Sequence, residues 1–544
     1  MPRSIRTPGR RVFRASAAAV ALALGLAACS GSGATTVSAA GAGSPTPGGT
    51  LTIDVDSAPL CLDPQNNNSN GNTAISRELV DSLTDEDPAT GKAVPWLASS
   101  FTVNANATEF TFTLRAGATF SDGSPVNAAA VKANLDSIVR LGATDAVGSS
   151  YLVGYTGTTV VGPLVARVAF STPNAQFLQA TSTAALGLLS PASLAATPQQ
   201  RCQGQDLHGS GPFTLAAQSA SEIRLARRAG YAWGSSLWHH TGTAYLAGID
   251  YDVVPEDSVR TGSLASGQVD GVIGVEAADQ RNLTGAGLTW LVRSVPGVAY
   301  NMTANTTHPI VSDPVVRQAI TLGINRAQIV STLLSSSYKP ATSILSSSTP
   351  GYANLSASLA YDPSKAESLL QADGWTAGSG GIRAKNGTPL KVQIIYPSVD
   401  TASAQVLQLV QQQLAQIGVD LELDGLPVDQ LAPDQNAGDY DLLWFTLTRA
   451  DPDILRTVYS VTQKDRAYLP TGNPLETLLD EQAATVNQTT RQGLVASAQK
   501  LIVQQAYSIP VYEAAQVDAF AATVHGAALD ASAQPELFDA WLSS

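Results

Sequence analysis

The segment KVQIIYPSVDTASAQVLQLVQQQLAQIGVDLELDGL, residues 391–426, reads as strand, helix and strand in immediate succession. KVQIIYP and VDLELDGL have the composition and length of strands. Between them Val406, Leu407, Val410, Leu414 and Ile417 repeat at helical spacing along one stripe, and Gly418 stops the helix. The next stretch, DYDLLWFTLTRADPDIL (Asp439–Leu455), is apolar for most of six residues and then turns polar and charged. It reads as a buried strand whose end faces water or something polar.

The same alternation extends in both directions. GGTLTIDVD (Gly48–Asp56) alternates Leu51, Ile53 and Val55, as a strand does. In EFTFTLRAGATFSDGSPV, Phe110, Phe112 and Leu114 share one strand face, Thr111 and Thr113 the other, and Asp122-Gly123 marks a turn. Asn127 is placed to cap a helix in which Val131, Leu135, Ile138 and Val139 form the apolar face. EIRLARR and GIDYDVVP read as strands around the aromatic loop YAWGSSLWHHTGTAYL. GVAYNMTAN is strand-like, and Pro314 and Pro363 sit where helices begin, the second after the cap Asp362 and before the stop Gly374. Alternating strands and helices predict an α/β protein with mostly parallel sheets. Ligands in such sheets bind beyond the carboxyl ends of the strands, so the charged end of DLLWFTL is expected at a cleft.

The N-terminus predicts export. Arg3, Arg6, Arg10, Arg11 and Arg14 precede an apolar run, Ala17–Ala28, that is too short for a bilayer span of roughly 20 residues. Residues 1–28 therefore read as a signal peptide. Leu26-Ala27-Ala28-Cys29 resembles a bacterial lipobox, which makes Cys29 the expected lipidation site and 29–48, rich in Gly, Ser and Ala, a tether. Arg10-Arg11 also resembles a twin-arginine signal, so the route is Sec or Tat. The formal charge is −13, and dropping the five signal arginines takes the mature chain to −18, which argues against nucleic acid or anionic lipid as partner. Contact with the membrane is expected through the lipid alone. After Cys29 only Cys61 and Cys202 remain, readable as a disulfide or as two buried thiols; an exported setting favours the bridge.

Signatures of catalysis and cofactor binding are lacking. The histidines (His208, His239, His240, His308, His525) have no metal-ligand spacing, and His239-His240 beside Trp238 reads as surface loop. There is no phosphate-binding G-x-x-x-x-G-K-[ST] loop and no G-x-S-x-G elbow; His208-Gly-Ser210-Gly reads as a tight turn. Neither enzyme activity nor a cofactor is expected.

Several segments in chain order resemble one family. FTFTLRAGATFSDGSPVNAAAVKANLDSI is the most specific, flanked by Leu62-Asp63-Pro64, HGSGPFTL, Arg227 to Tyr231, LASGQVDGV, YNMTANTTHPIVSDPVVRQAITLGINR, YDPSKAESLLQADGW and QLAQIGVDLELDGL with GDYDLLWF. Together they are similar to the extracytoplasmic solute-binding proteins, family 5, of ABC importers for oligopeptides, dipeptides and nickel. The resemblance spans roughly residues 49–530. It implies a two-lobed, type II periplasmic-binding-protein-like α/β fold with a subdomain inserted in lobe I. Lobe I would take 49–85, 187–297 and a return at 511–544, the insertion 86–186, and lobe II 298–510. The chain would cross between lobes near Tyr300-Asn301 and near Ile509-Pro510.

The resemblance also places the stretch after DLLWFTL in the interlobe cleft, with Asn301, Trp444, Thr446, Thr448, Arg449 and Asp451 as candidate ligand contacts. Thr448 stands where peptide-binding members carry an Asp for the ligand's ammonium, and Asp451 is the alternative counter-charge. Arg449 suits a carboxylate or phosphate. The alternatives are that Arg449 and Asp451 pair with neighbours and that Trp444 is core. The implied function is capture of a peptide by a monomer and delivery to an ABC permease with its ATPase. An oligosaccharide or anionic metabolite is the second choice of ligand, and a sensor or adhesion lipoprotein the other class. Nickel is not expected, with Met scarce and no His-rich site.

Overall fold

A computed structural model describes residues 43–66, 70–142, 146–283 and 287–543. Cys29, the signal segment 1–28 and tether residues 29–42 lie outside the described residues.

Two mixed sheets carry the two lobes. The first has seven strands in the order Thr289–Ser294, Ala515–Phe520, Gly271–Val272, Thr50–Val55, Gly248–Val253, Glu222–Arg227, Phe213–Gln218. The second has six, in the order Lys339–Pro340, Ser508–Glu513, Gly297–Ala304, Leu442–Thr448, Lys391–Pro397, Asp420–Leu426. Parallel pairing is confined to Thr50–Val55 with its two neighbours and Lys391–Pro397 with its two. The expectation of mostly parallel sheets is thus corrected. Helix crossovers make parallel pairs, as around helix Thr401–Gln416, but 213–218, 222–227 and 248–253 join antiparallel, and the strands entering and leaving each lobe run against their neighbours.

The first four residues of strand Leu442–Thr448 are all apolar because both faces are covered there. Leu442 and Trp444 join the core formed with helices Pro314–Gly323 and Thr401–Gln416. Leu443 and Phe445 join a second core with helices Pro474–Ala484 and Gln488–Gln504 on the other face. The stripe on helix Thr401–Gln416 is buried as its spacing predicts, from Val406 to Leu414, with Ile417 just beyond.

A four-stranded antiparallel sheet, in the order Ala98–Val103, Glu109–Leu114, Val165–Phe170, Tyr155–Gly162, lies within the segment expected as the insertion. Helix Ala128–Leu141 covers it, and Asn127 caps that helix by accepting from the Ala130 N–H. Val131, Leu135 and Ile138 are buried, but Val139 is 43% exposed: one residue past Ile138, it has rotated off the face. Hairpin Thr84–Asp87/Lys92–Pro95 precedes the sheet. Cys61 and Cys202 form a disulfide across 141 residues of sequence. Beside it Arg201 Nε meets Asp63 Oδ2 at 2.6 Å, both side chains buried.

The chain changes sheets between Ser294 and Gly297 and returns between Glu513 and Ala515. Tyr300-Asn301 and Ile509-Pro510, expected at the crossings, lie inside the second sheet. The first crossing thus falls earlier, at Val295-Pro296, and the return later, at Ala514. Gly297 then takes φ +115°, where a Cβ would come within 2.1 Å of the Leu447 carbonyl oxygen. The two passes are bonded side by side, Val295 N–H to Ala514 O at 2.8 Å.

Candidate functional site

The end of strand Leu442–Thr448 opens on a cavity of about 360 Å³. Its first four residues are buried and its last three partly exposed, so the polarity change at Thr446 marks where the strand leaves the core. Pro64, Thr73 and Arg77 form one wall, Val147 and Tyr151 another, Thr446 to Ala450 a third, and Asp530, Ser532 and Gln534 close it. The lining therefore combines the lobe of the first sheet, the inserted segment, the lobe of the second sheet and the C-terminal return.

Of the six expected contacts, Thr446, Thr448 and Arg449 line this cavity. Thr446 donates through Oγ1 to the Val298 carbonyl at 2.7 Å, which turns it toward the crossing strand. Arg449 spans the cleft. Its guanidinium donates to Thr457 Oγ1 on its own side at 3.1 Å and to Ser150 Oγ on the far side at 2.8 Å. It also lies 4.7 Å over the ring of Tyr151.

The other three do not reach it. Trp444 is 1% exposed and donates from Nε1 to Ser403 Oγ at 2.7 Å, so its indole is core. Asn301 is fully buried; its amide donates to the Ala299 and Phe445 carbonyls at 3.0 Å and accepts from Thr303 Oγ1, bridging the register shift in its strand. Asp451 is gripped bidentately by Arg491, at 2.7 and 2.6 Å, and accepts from the Asp453 N–H. It lines a second cavity and not this one, and its carboxylate is paired with Arg491.

Arg77, Tyr151 and Asp530 were not legible as site residues. Arg77 donates to Ser82 Oγ at 2.7 Å and to the Ser182 carbonyl at 3.2 Å, with its guanidinium 4.3 Å over the Trp96 ring. Asp530 accepts from the Ser532 and Gln534 N–H groups through one oxygen. Burial pushes its carboxyl up to about 6 against the opposing pull of those donors and of Arg77. No sequence signal joins these three: Arg77 and Tyr151 lie hundreds of residues before the Thr448 loop and Asp530 well after it, in segments without a motif. Behind Arg77, burial pushes Asp81 up to about 8 even though Tyr231 and Trp233 donate to it at 3.0 and 2.8 Å. Two guanidinium groups line the cavity against one carboxyl, which disposes the site toward a ligand carboxylate.

Among the described residues no three His, Cys, Asp or Glu side chains converge as metal ligands, and no helix is long and apolar enough to cross a membrane.

Comparison with known proteins gives this architecture a lineage. The family model for bacterial extracellular solute-binding proteins, family 5, matches residues 92–468. The nickel-binding periplasmic protein of Escherichia coli K12 is 25% identical over 447 residues, covering 78% of this chain and 81% of that protein. The glutathione-binding protein GsiB of Salmonella typhimurium is 28% identical over 379 residues, 68% of each. The oligopeptide-binding protein AppA of Bacillus subtilis, solved with a nonapeptide, shares the fold with a TM-score of 0.71 at 18% identity, over 92% of this chain and all of that one. These relatives are named as solute-binding proteins. With a family match over most of its length and a cleft between two lobes, the chain belongs to the bacterial extracellular solute-binding proteins of family 5, the substrate-binding components of ABC importers.

Proposed function

We propose that the protein is anchored by a lipid on Cys29 at the outer face of the cell membrane, captures a short peptide between its lobes, and delivers it to a permease. Lobe I would comprise 49–85, 187–297 and 511–544, carrying the insertion 86–186, and lobe II would comprise 298–510, give or take the few residues by which the sheet crossings differ. Ligand shifts the open–closed equilibrium by binding the closed form more tightly. The observation that carries this reading is Arg449, which reaches across the 360 Å³ cavity from one lobe to Ser150 and Tyr151 of the other. A ligand carboxylate meeting Arg449 at that point would join both lobes through one group. A peptide supplies such a carboxylate together with backbone groups for Thr446, Thr448 and Gln534, while bridging water tolerates varied side chains. AppA, with its nonapeptide, is the structural precedent.

The test is a thermal-shift screen of refolded, ligand-free protein against di- to pentapeptides, oligosaccharides and small anions. Peptides are expected to raise Tm, and Arg449→Ala to lower their affinity by about tenfold or more, as loss of a charge-assisted pair does. Stabilisation only by small anions or sugars would reject the peptide. For the anchor, Cys29→Ala is expected to release the protein from membranes.

A further inference from the structure

A second cavity, of about 310 Å³, lies on the other side of the loop that carries Arg449. Ala450 lines the first cavity; Asp451 and Pro452 line the second. Its walls are apolar and come from both sides of the cleft: Val103, Phe110 and Leu178 from the inserted segment, and Pro452, Val486 and Val495 from the lobe of the second sheet. Its polar groups are unequal in kind. Glu86, on strand Thr84–Asp87, is 3% exposed and accepts from Gln179 Nε2 at 2.8 Å. The Gln179 amide oxygen is buried and has no partner. The nearest guanidinium, that of Arg491, is engaged by Asp451 and by Gln482 Oε1. Lys92 sits at the exposed rim, opposite Asp87 in the hairpin. With Glu86 ionised the cavity thus offers two buried acceptors and no uncommitted buried donor, with Gln488 and Gln492 lining it from its more exposed side.

We propose that this cavity is a second binding site, for a ligand whose apolar body carries a primary ammonium, with Glu86 as counter-charge and the Gln179 amide oxygen as second acceptor. Once Glu86 is ionised, above about pH 8, a carboxylate would meet it and Asp451 as like charges. A purely apolar guest would leave the Gln179 oxygen buried and unpaired. The size suits an arylalkylamine or the side chain and terminal ammonium of a larger molecule. Because walls from both lobes enclose it, occupancy favours the closed form. The assignment follows from this cavity's own lining and stands whichever solute the first cavity takes.

The charge state of Glu86 supplies a signature. Burial, foremost, pushes its carboxyl up to about 8; Asp451, Asp530 and Asp85 push the same way and the Gln179 hydrogen bond opposes. Arg293, from strand Thr289–Ser294, faces it with opposite charge. An arriving ammonium draws off the proton, so amine affinity should rise with pH up to about 8 and level off above.

The experiment is calorimetric titration of the protein with 4-phenylbutylamine, 4-phenylbutanol and 4-phenylbutyrate. The amine is expected to bind with the pH dependence above, the alcohol more weakly and without it, and the acid not at all above about pH 8. Glu86→Gln should cut amine affinity about tenfold and leave that of the alcohol within about twofold. Ala175→Leu, which fills the cavity from its wall and leaves Glu86 in place, should abolish both. Absence of amine binding to the folded protein, or binding unchanged in both variants, overturns the proposal. A peptide screen that fails while the amine still binds rejects the peptide reading alone.

Discussion

Asp451 shows how a side chain's partner decides its role. The Arg491 guanidinium that holds it is itself nearly buried, its side chain 14% exposed. Asp451→Asn therefore leaves a buried cation facing a neutral amide, and is expected to lower unfolding stability by about 3 kcal/mol. The folded fraction should keep its affinity for first-cavity ligands. Urea denaturation with titration of the same variant separates the two; unchanged stability with lost binding would return Asp451 to the ligand. From the sequence, Asp451 and Arg449 were equal candidates, two residues apart in one loop. What separates them is a helix beginning 37 residues downstream, Gln488–Gln504, that brings Arg491 to one and nothing to the other. Trp444 was legible as core from its place in an apolar run. Asn301 was not, because a strand irregularity leaves no trace in composition.

At the level of elements, local rules read well and pairing rules less so. Caps at Asn127 and Asp362, and prolines at Pro314 and Pro363, each start the helix their chemistry predicts. Strand direction failed because it depends on which strand comes back beside which, a long-range property that helix–strand alternation reports only within a crossover. The disulfide acts at this scale. It joins Cys61 to Cys202 and so closes a loop of 141 residues that contains the whole four-stranded sheet and its helix. A loop of that length restricts the unfolded chain by about 5 kcal/mol. Cys202→Ser is expected to lower the urea midpoint accordingly, with cleavage by protease appearing first between residues 61 and 202. A midpoint equal to that of the wild type would show the bridge to be dispensable.

For the whole molecule, the buried carboxyls set the response to pH. Burial raises Glu78 to about 7, Asp81 and Glu86 to about 8, and Asp54, Asp465, Asp518 and Asp530 to about 6. Each binds its proton more tightly folded than unfolded. Their contribution is fully present below the ordinary carboxyl range near 4 and is lost as pH rises through 6 to 8. Asp87, Asp122, Asp136 and Asp373 are held low by hydrogen bonds and act in the opposite sense, losing their contribution as pH falls below about 4. Tm should therefore peak near pH 5 and decline toward pH 8, as thermal melts across that range would show; a maximum above pH 7 would contradict it. The acidic composition announced surplus carboxylates but not which ones the fold would bury. Ordered blocks along the chain made the family and the two-lobed plan legible.

The paired crossing at Val295 and Ala514 has a consequence for how such a molecule can be rebuilt. Residues 297–513 leave the first sheet and rejoin it at neighbouring points, so the two ends of that stretch lie one hydrogen bond apart. A segment whose ends meet is a cassette. It can be exchanged for the matching piece of a relative, or opened and recircularised with new termini, without moving the strands on either side. Half of a recognition surface then becomes a replaceable part, with the seam at Pro296 and Ala514.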